Sequence, residues 1–100
     1  MSVKLLVIYP PPANAENFDR LYREEHIPMG KENLVGATNI ETVRVLGAPA
    51  GKPSIYQISE VTFPSLEALQ SCAGTDGAQK TMAHAVKIST GGAPEFLIVQ

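Results

Sequence analysis

Three consecutive prolines, Pro10, Pro11 and Pro12, follow directly on the apolar run Val3-Lys4-Leu5-Leu6-Val7-Ile8-Tyr9. The run is nearly continuous in apolar residues, which suits a strand covered on both faces. Proline cannot donate to a ladder, so the strand stops at Tyr9. Asn14 then reads as a helix N-cap, with Glu16 in the first turn where the helix dipole favours an acid. Phe18, Leu21, Tyr22, Glu25, His26 and Met29 recur at helical spacing. Glu16 with Arg20, and Asp19 with Arg23, stand four apart and can pair. Pro28 is expected to kink or end this helix, with Ile27 at the boundary.

The remainder alternates in the same way. Thr38 to Gly47 is rich in β-branched residues and reads as a second strand. Ala48 to Pro53 is turn chemistry, and Ser54 to Phe63 reads as a third strand. Ser65 caps a helix over Leu66–Cys72, which is interrupted near Gly74-Thr75-Asp76-Gly77. The helical pattern returns over Ala78–Ile88 through Ala78, Met82, Ala85 and Val86, and Gly91-Gly92 ends it. Glu95–Val99 closes the chain as a fourth strand. The order β-α-β-β-α-β predicts an α+β fold: a split βαβ plan, with a four-stranded antiparallel sheet and both helices on one face.

Size and composition narrow the function. A chain of 100 residues is expected to form one domain over 1–100, with one core and one modest pocket. Hydrophobic residues make up 44% and charged ones 18%, which argues against disorder. The formal charge of −2 offers no basic face, so no nucleic-acid partner is expected. The apolar stretch at the N-terminus is too short for a signal core or a membrane span, so the expectation is a soluble cytoplasmic protein with no membrane partner. One cysteine, Cys72, excludes an internal disulfide and reads as a small hydrophobe. No Cys/His cluster has metal spacing, there is no phosphate loop, and no serine elbow.

What remains is Tyr22-Arg23-Glu24-Glu25-His26-Ile27-Pro28. Tyr22 and His26, four apart, share a helix side. At ~100° per residue His26 lies on one border of the apolar stripe and Glu25 on the other, with Phe18 and Met29 near its centre. A histidine beside a phenol in a partly dry pocket can give or take a proton near neutral pH. Spacing alone equally allows a histidine that complements the helix dipole and a Tyr22 that is only a core aromatic with a wet hydroxyl. The candidate set is His26 and Tyr22 as catalytic groups, with Phe18, Glu25 and Met29 against the ligand. His84 falls opposite Met82 on its helix and reads as solvated. Lys4 and Arg44 read as surface charge.

Three stretches also resemble the EthD family, named for ethyl tert-butyl ether degradation: Leu5–Pro10, Phe18–Met29 and Ser89-Thr90-Gly91-Gly92-Ala93-Pro94. The most specific piece is Tyr-x-x-x-His-x-Pro, matched by Tyr22, His26 and Pro28. The resemblance spans essentially the whole chain and implies a ferredoxin-like fold of the dimeric α/β-barrel superfamily, in which two sheets join into a barrel. It raises His26 to the leading candidate. It also brings in relatives of diverse chemistry, including cofactor-free monooxygenases, isomerases, cyclases and haem proteins. Three functions follow as expectations. The first is a cofactor-free enzyme of catabolism or secondary metabolism, using His26 as acid/base on an apolar or aromatic small molecule. The second is a non-catalytic ligand-binding or accessory protein. The third is a haem protein with His26 as axial ligand, which needs a larger cavity than a chain this short readily provides. A homodimer is expected from the residues as well: Val3, Leu5 and Val7 are apolar on one strand face and Leu6 and Ile8 on the other, and helices cover only one.

Overall fold

The computed structural model describes residues 1–100. Its strands are β1 (Val3–Tyr9), β2 (Asn39–Arg44), β3 (Gln57–Phe63) and β4 (Glu95–Val99). They form one sheet in the order β2-β3-β1-β4, with every neighbouring pair antiparallel. The helices are α1 (Ala15–Leu21), α2 (Ile27–Asn33), α3 (Leu66–Ala73) and α4 (Asp76–Ile88), with a π-helical turn, Tyr22–His26, joining α1 to α2. This is the ferredoxin-like βαββαβ arrangement, with the helices on one sheet face. No helix is long and apolar enough to cross a membrane.

Strand pleating sorts the residues between the faces. Val3, Val7 and Tyr9 of β1 and Gln57, Ser59, Val61 and Phe63 of β3 are buried under the helices. The register places Leu6, Ile8, Ile58, Val43, Leu97 and Val99 together on the opposite face, which nothing in the chain covers. Lys4 pairs with Glu60 at 2.9 Å at one end of that face. Caps fall where the sequence places them. Asn14 accepts from the Asn17 N–H at 2.9 Å and Ser65 from the Ala68 N–H at 3.1 Å.

Four expectations need correction. The strand β2 is shorter than Thr38–Gly47 and β3 starts at Gln57 rather than Ser54, because the segment between them folds back on itself through an Ala48–Gly51 bridge. The last helix begins at Asp76, capped by Thr75, whose hydroxyl accepts from the Ala78 N–H at 3.1 Å. Its buried stripe is Ala78, Thr81, His84, Ala85 and Ile88, so Val86 faces outward. Ile27 is the boundary residue expected, but the helical run continues through Pro28 instead of ending there. The Ile27 N–H bonds the Tyr22 carbonyl five residues back, and Pro28 sits in the first turn of α2, where a missing N–H is tolerated.

That five-residue step acts as a one-residue insertion. It slips the buried stripe forward by one position. Gly30 is buried, while Met29, which a continuous α-helix would turn inward, is only half-buried.

The Ser89–Pro94 segment closes the fold against the proline turn. The Ala13 N–H donates to the Thr90 hydroxyl at 3.1 Å, and the Ser89 hydroxyl donates to the Gly92 carbonyl at 2.6 Å. Gly92 adopts φ +143°, which side chains rarely accept. Gly91 lies directly against the Pro11 backbone.

Candidate functional site

Two apolar clusters fill the space between helices and sheet. One gathers Val3, Val61, Phe63, Leu69, Cys72 and Ala78, the other Val7, Tyr9, Phe18, Tyr22, Ala85 and Ile88. Leu5 packs against both, and a cavity opens beside it. Its walls are mostly aliphatic, from Leu5, Val7, Ile40 and Val61 of the sheet, Leu34 just past α2 and Met82 of α4. Counted out to its mouth the empty space is about 450 Å³, of which the centre of a water molecule can reach about 40 Å³. The cavity is therefore a narrow slot. Gly30 contributes to its width: a Cβ there would reach no closer than 3.6 Å to Leu34 and 4.0 Å to Ile40, filling space that is now open.

Polar groups occupy one side of this slot. Tyr22, His26, Ser59 and Thr81 all line it. The Tyr22 hydroxyl lies 2.6 Å from Ser59 Oγ and 2.7 Å from Thr42 Oγ1. His26 is 8% exposed; its Nδ1 stands 2.9 Å from His84 Nδ1, and its Nε2 3.5 Å from the Tyr9 hydroxyl. The two imidazole planes are within 10° of parallel. Beyond them, His84 Nε2 meets Glu25 Oε1 at 3.2 Å, where Glu25 is open to solvent. A file of polar contacts thus runs from surface Glu25 through His84 to His26 at the cavity.

Burial dominates the electrostatics. It lowers the pKa of His26 from 6.5 to about 4, with the neighbouring His84 acting in the same direction. Burial also pushes the Tyr9 phenol well above its ordinary value, helped by Tyr22 and opposed by a hydrogen bond with Ser59. Glu25, which sequence spacing sets beside His26, faces His84 instead.

The sequence-predicted residues divide clearly. Tyr22 and His26 come together at the cavity, and the Tyr22 hydroxyl is not wet but held by two protein hydroxyls. Phe18, Glu25 and Met29, expected against the ligand, do not line the cavity. Phe18 is buried in an aromatic cluster, with ring centroids 5.1 Å from Tyr9 and 5.9 Å from Tyr22. Glu25 points outward to His84, and the slip at the π turn turns Met29 aside. His84, expected to be solvated, is 9% exposed and hydrogen-bonded on both ring nitrogens. Sequence reasoning also passed over Tyr9, Thr42, Ser59 and Thr81. A signal for His84 was present: it stands three after Thr81 and four before Ile88, on the stripe the helix buries. Arg44 and Lys4 are committed to protein carboxylates, Arg44 to Asp19 at 2.8 Å and Lys4 to Glu60. No three His, Cys, Asp or Glu side chains are placed to hold one metal ion. The slot is too small to enclose a porphyrin, and His26 Nδ1 is engaged by His84.

No protein-family model matches the chain, and no curated protein matches it. Among solved structures, an EthD family protein from Bacillus halodurans is 27% identical, with a TM-score of 0.90, and the match covers 100% of this chain and 98% of that one. A dimeric ferredoxin-like protein of unknown function from Jannaschia sp. is 16% identical, with a TM-score of 0.74 over 100% of this chain and 99% of that one. SnoaB, a cofactor-independent oxygenase from Streptomyces nogalater, is 9% identical, with a TM-score of 0.68 over 99% of this chain and 91% of that one. The last two likenesses are of fold alone.

Proposed function

We propose, from the premise that this is an EthD-like chain, that it is a single-domain, cofactor-free enzyme of catabolism or secondary metabolism acting on a compact, mostly apolar molecule with one oxygen function. The observation that carries this is a histidine on the polar side of an otherwise aliphatic slot, beside a cluster of three hydroxyls. Tyr22, Ser59 and Thr42 own three hydroxyl protons, and their two mutual contacts use two of them. With Tyr22 and Ser59 lining the slot, a hydroxyl of this cluster is the donor a ligand oxygen would meet. Such a donor orients the ligand, and a neutral His26 beside it acts as acid/base. Apolar walls exclude water and strengthen both interactions.

The test is a panel of small carbonyl, ether and aromatic compounds, screened for binding and turnover with the wild-type protein and His26→Ala. Turnover should fall by about 10²- to 10⁴-fold in the variant, the range for loss of a general acid/base, while the fold persists. Binding without turnover in the wild type would support a ligand-binding protein instead. Equal turnover in both proteins would remove His26 from the chemistry.

We also propose that two copies pair through the open sheet face. Leu6, Ile8, Val43, Ile58, Leu97 and Val99 form an apolar stripe there, flanked by Lys4, Glu41, Glu60 and Glu95, of the kind that marks an interface with a polar rim. Sedimentation of the wild type should show a dimer, and Leu6→Asp, midway along β1 on that face, a folded monomer. A wild-type monomer at all concentrations would refute the pairing.

A further inference from the structure

Each of the polar contacts behind His26 permits only some arrangements of protons. The Glu25 carboxylate only accepts, so His84 donates to it from Nε2. A neutral His84 is then bare at Nδ1 and can only accept there. The Nδ1···Nδ1 contact of 2.9 Å therefore requires His26 to donate from its own Nδ1. That leaves the lone pair of His26 Nε2 with no partner closer than the Tyr9 hydroxyl at 3.5 Å, and available as a base. The remaining groups do not disturb this order. Tyr9 from β1 and Tyr22 from the π turn are the other titratable groups beside His26; the Tyr9 hydroxyl can donate to a bare Nε2, while the Tyr22 hydroxyl is engaged with Ser59 and Thr42.

We propose that His84, anchored by Glu25, is a positioning residue that fixes the basic tautomer of His26 and carries protons between His26 and solvent. The inference rests on the reading of His26 as acid/base and adds the reaction class. As His26 Nε2 takes a proton from a C–H or O–H bond of the bound molecule, the bonding pair stays on that molecule. The His26 Nδ1 proton passes to His84 Nδ1, and the His84 Nε2 proton passes to Glu25 and then to water. One bond to hydrogen breaks in the ligand, one forms on water, and nothing is oxidised or reduced. Run in reverse, the same file returns a proton to another atom of the ligand. The chemistry it serves is thus proton transfer, such as enolisation or isomerisation of a carbonyl compound.

The experiment is ¹⁵N spectroscopy of the imidazoles at neutral pH, on the ligand-free protein. In the wild type His26 is expected to carry its proton on Nδ1 and His84 on Nε2. In His84→Leu the Nδ1 partner is gone, and the His26 proton should move to Nε2. In His84→Gln the amide oxygen can accept from Nδ1, and the wild-type tautomer should return. A merely structural His84 would leave the tautomer of His26 unchanged in all three. If His84→Leu does not fold, Glu25→Ala gives the same information from an exposed position, with a growing Nε2–H population on His26 expected. A wild-type His26 protonated on Nε2, or a tautomer indifferent to these substitutions, overturns the proposal. The tautomer is read without substrate, so a failure of the turnover test leaves this result separate.

Discussion

Replacing Gly91 by alanine is expected to cost at least about 3 kcal/mol, at or beyond the upper end for overpacking a close contact. The added methyl would overlap the Pro11 carbonyl oxygen and lie 2.8 Å from its carbon and 3.2 Å from Pro12 Cα. All of these are backbone atoms, and no side-chain rotation relieves them. The proline turn cannot yield easily either, since Ala13 is tied to Thr90 and Asn14 caps α1. For a chain of this size the loss lowers the melting temperature by about 12–24 °C. A melt within two or three degrees of the wild type, on the order of the shift from much less than 1 kcal/mol, would show that the contact is loose.

Acidification gives the second large effect. His26 is neutral in the folded chain down to about pH 4, whereas an unfolded chain protonates it near 6.5. Between those values the unfolded state binds more protons, so stability rises with pH. The contribution is complete above about pH 6.5, declines as pH falls, and is fully lost below about 4, a difference of about 3 kcal/mol. Against a typical total of about 5–15 kcal/mol this is a substantial share. Denaturant midpoints at pH 7.5 and pH 4.5, with about 1–3 kcal/mol per molar urea as the ordinary slope, resolve it. His26→Gln should flatten the difference. Parallel losses in wild type and variant would place the acid sensitivity elsewhere. A rate inflection owing to His26 alone belongs near pH 4, lower than the pH 5–8 range ordinary for histidine.

The sequence carried the fold because its stops are chemical. Pro10–Pro12 end β1 at Tyr9, and Gly91-Gly92 clear the way for β4, so both strands match their expected limits. The stretch after Arg44 keeps strand-like residues, and Val45 still donates to Tyr56 at 3.0 Å, but the turn beyond it takes over. The site was legible only in part. Tyr22 and His26 announce themselves by spacing and by motif. Ser59 and Thr42 do not, because a hydroxyl inside a strand looks like β propensity until the sheet register sets it under Tyr22. His84 looks solvated from Met82 because Met82 lies at the edge of the buried stripe rather than its centre. Met29 was drawn inward because a uniform 100° step holds only where the helix is α throughout.

The π turn has a structural economy of its own. Upstream of Tyr22 the buried face of the helix is made of large rings, Phe18 and Tyr22 itself, which build the aromatic stack. Downstream it is made of Ile27, Gly30 and Leu34, which border empty space. An unbroken α-helix would draw both duties from one angular sector, and residues chosen for bulk would crowd positions that must stay small. The change of phase lets Tyr22 serve both the stack and the slot wall while the positions beyond it, Ile27, Gly30 and Leu34, serve the slot. The width of the slot can then change through substitutions at 30 or 34 while the stack that holds His26 in place remains as it is.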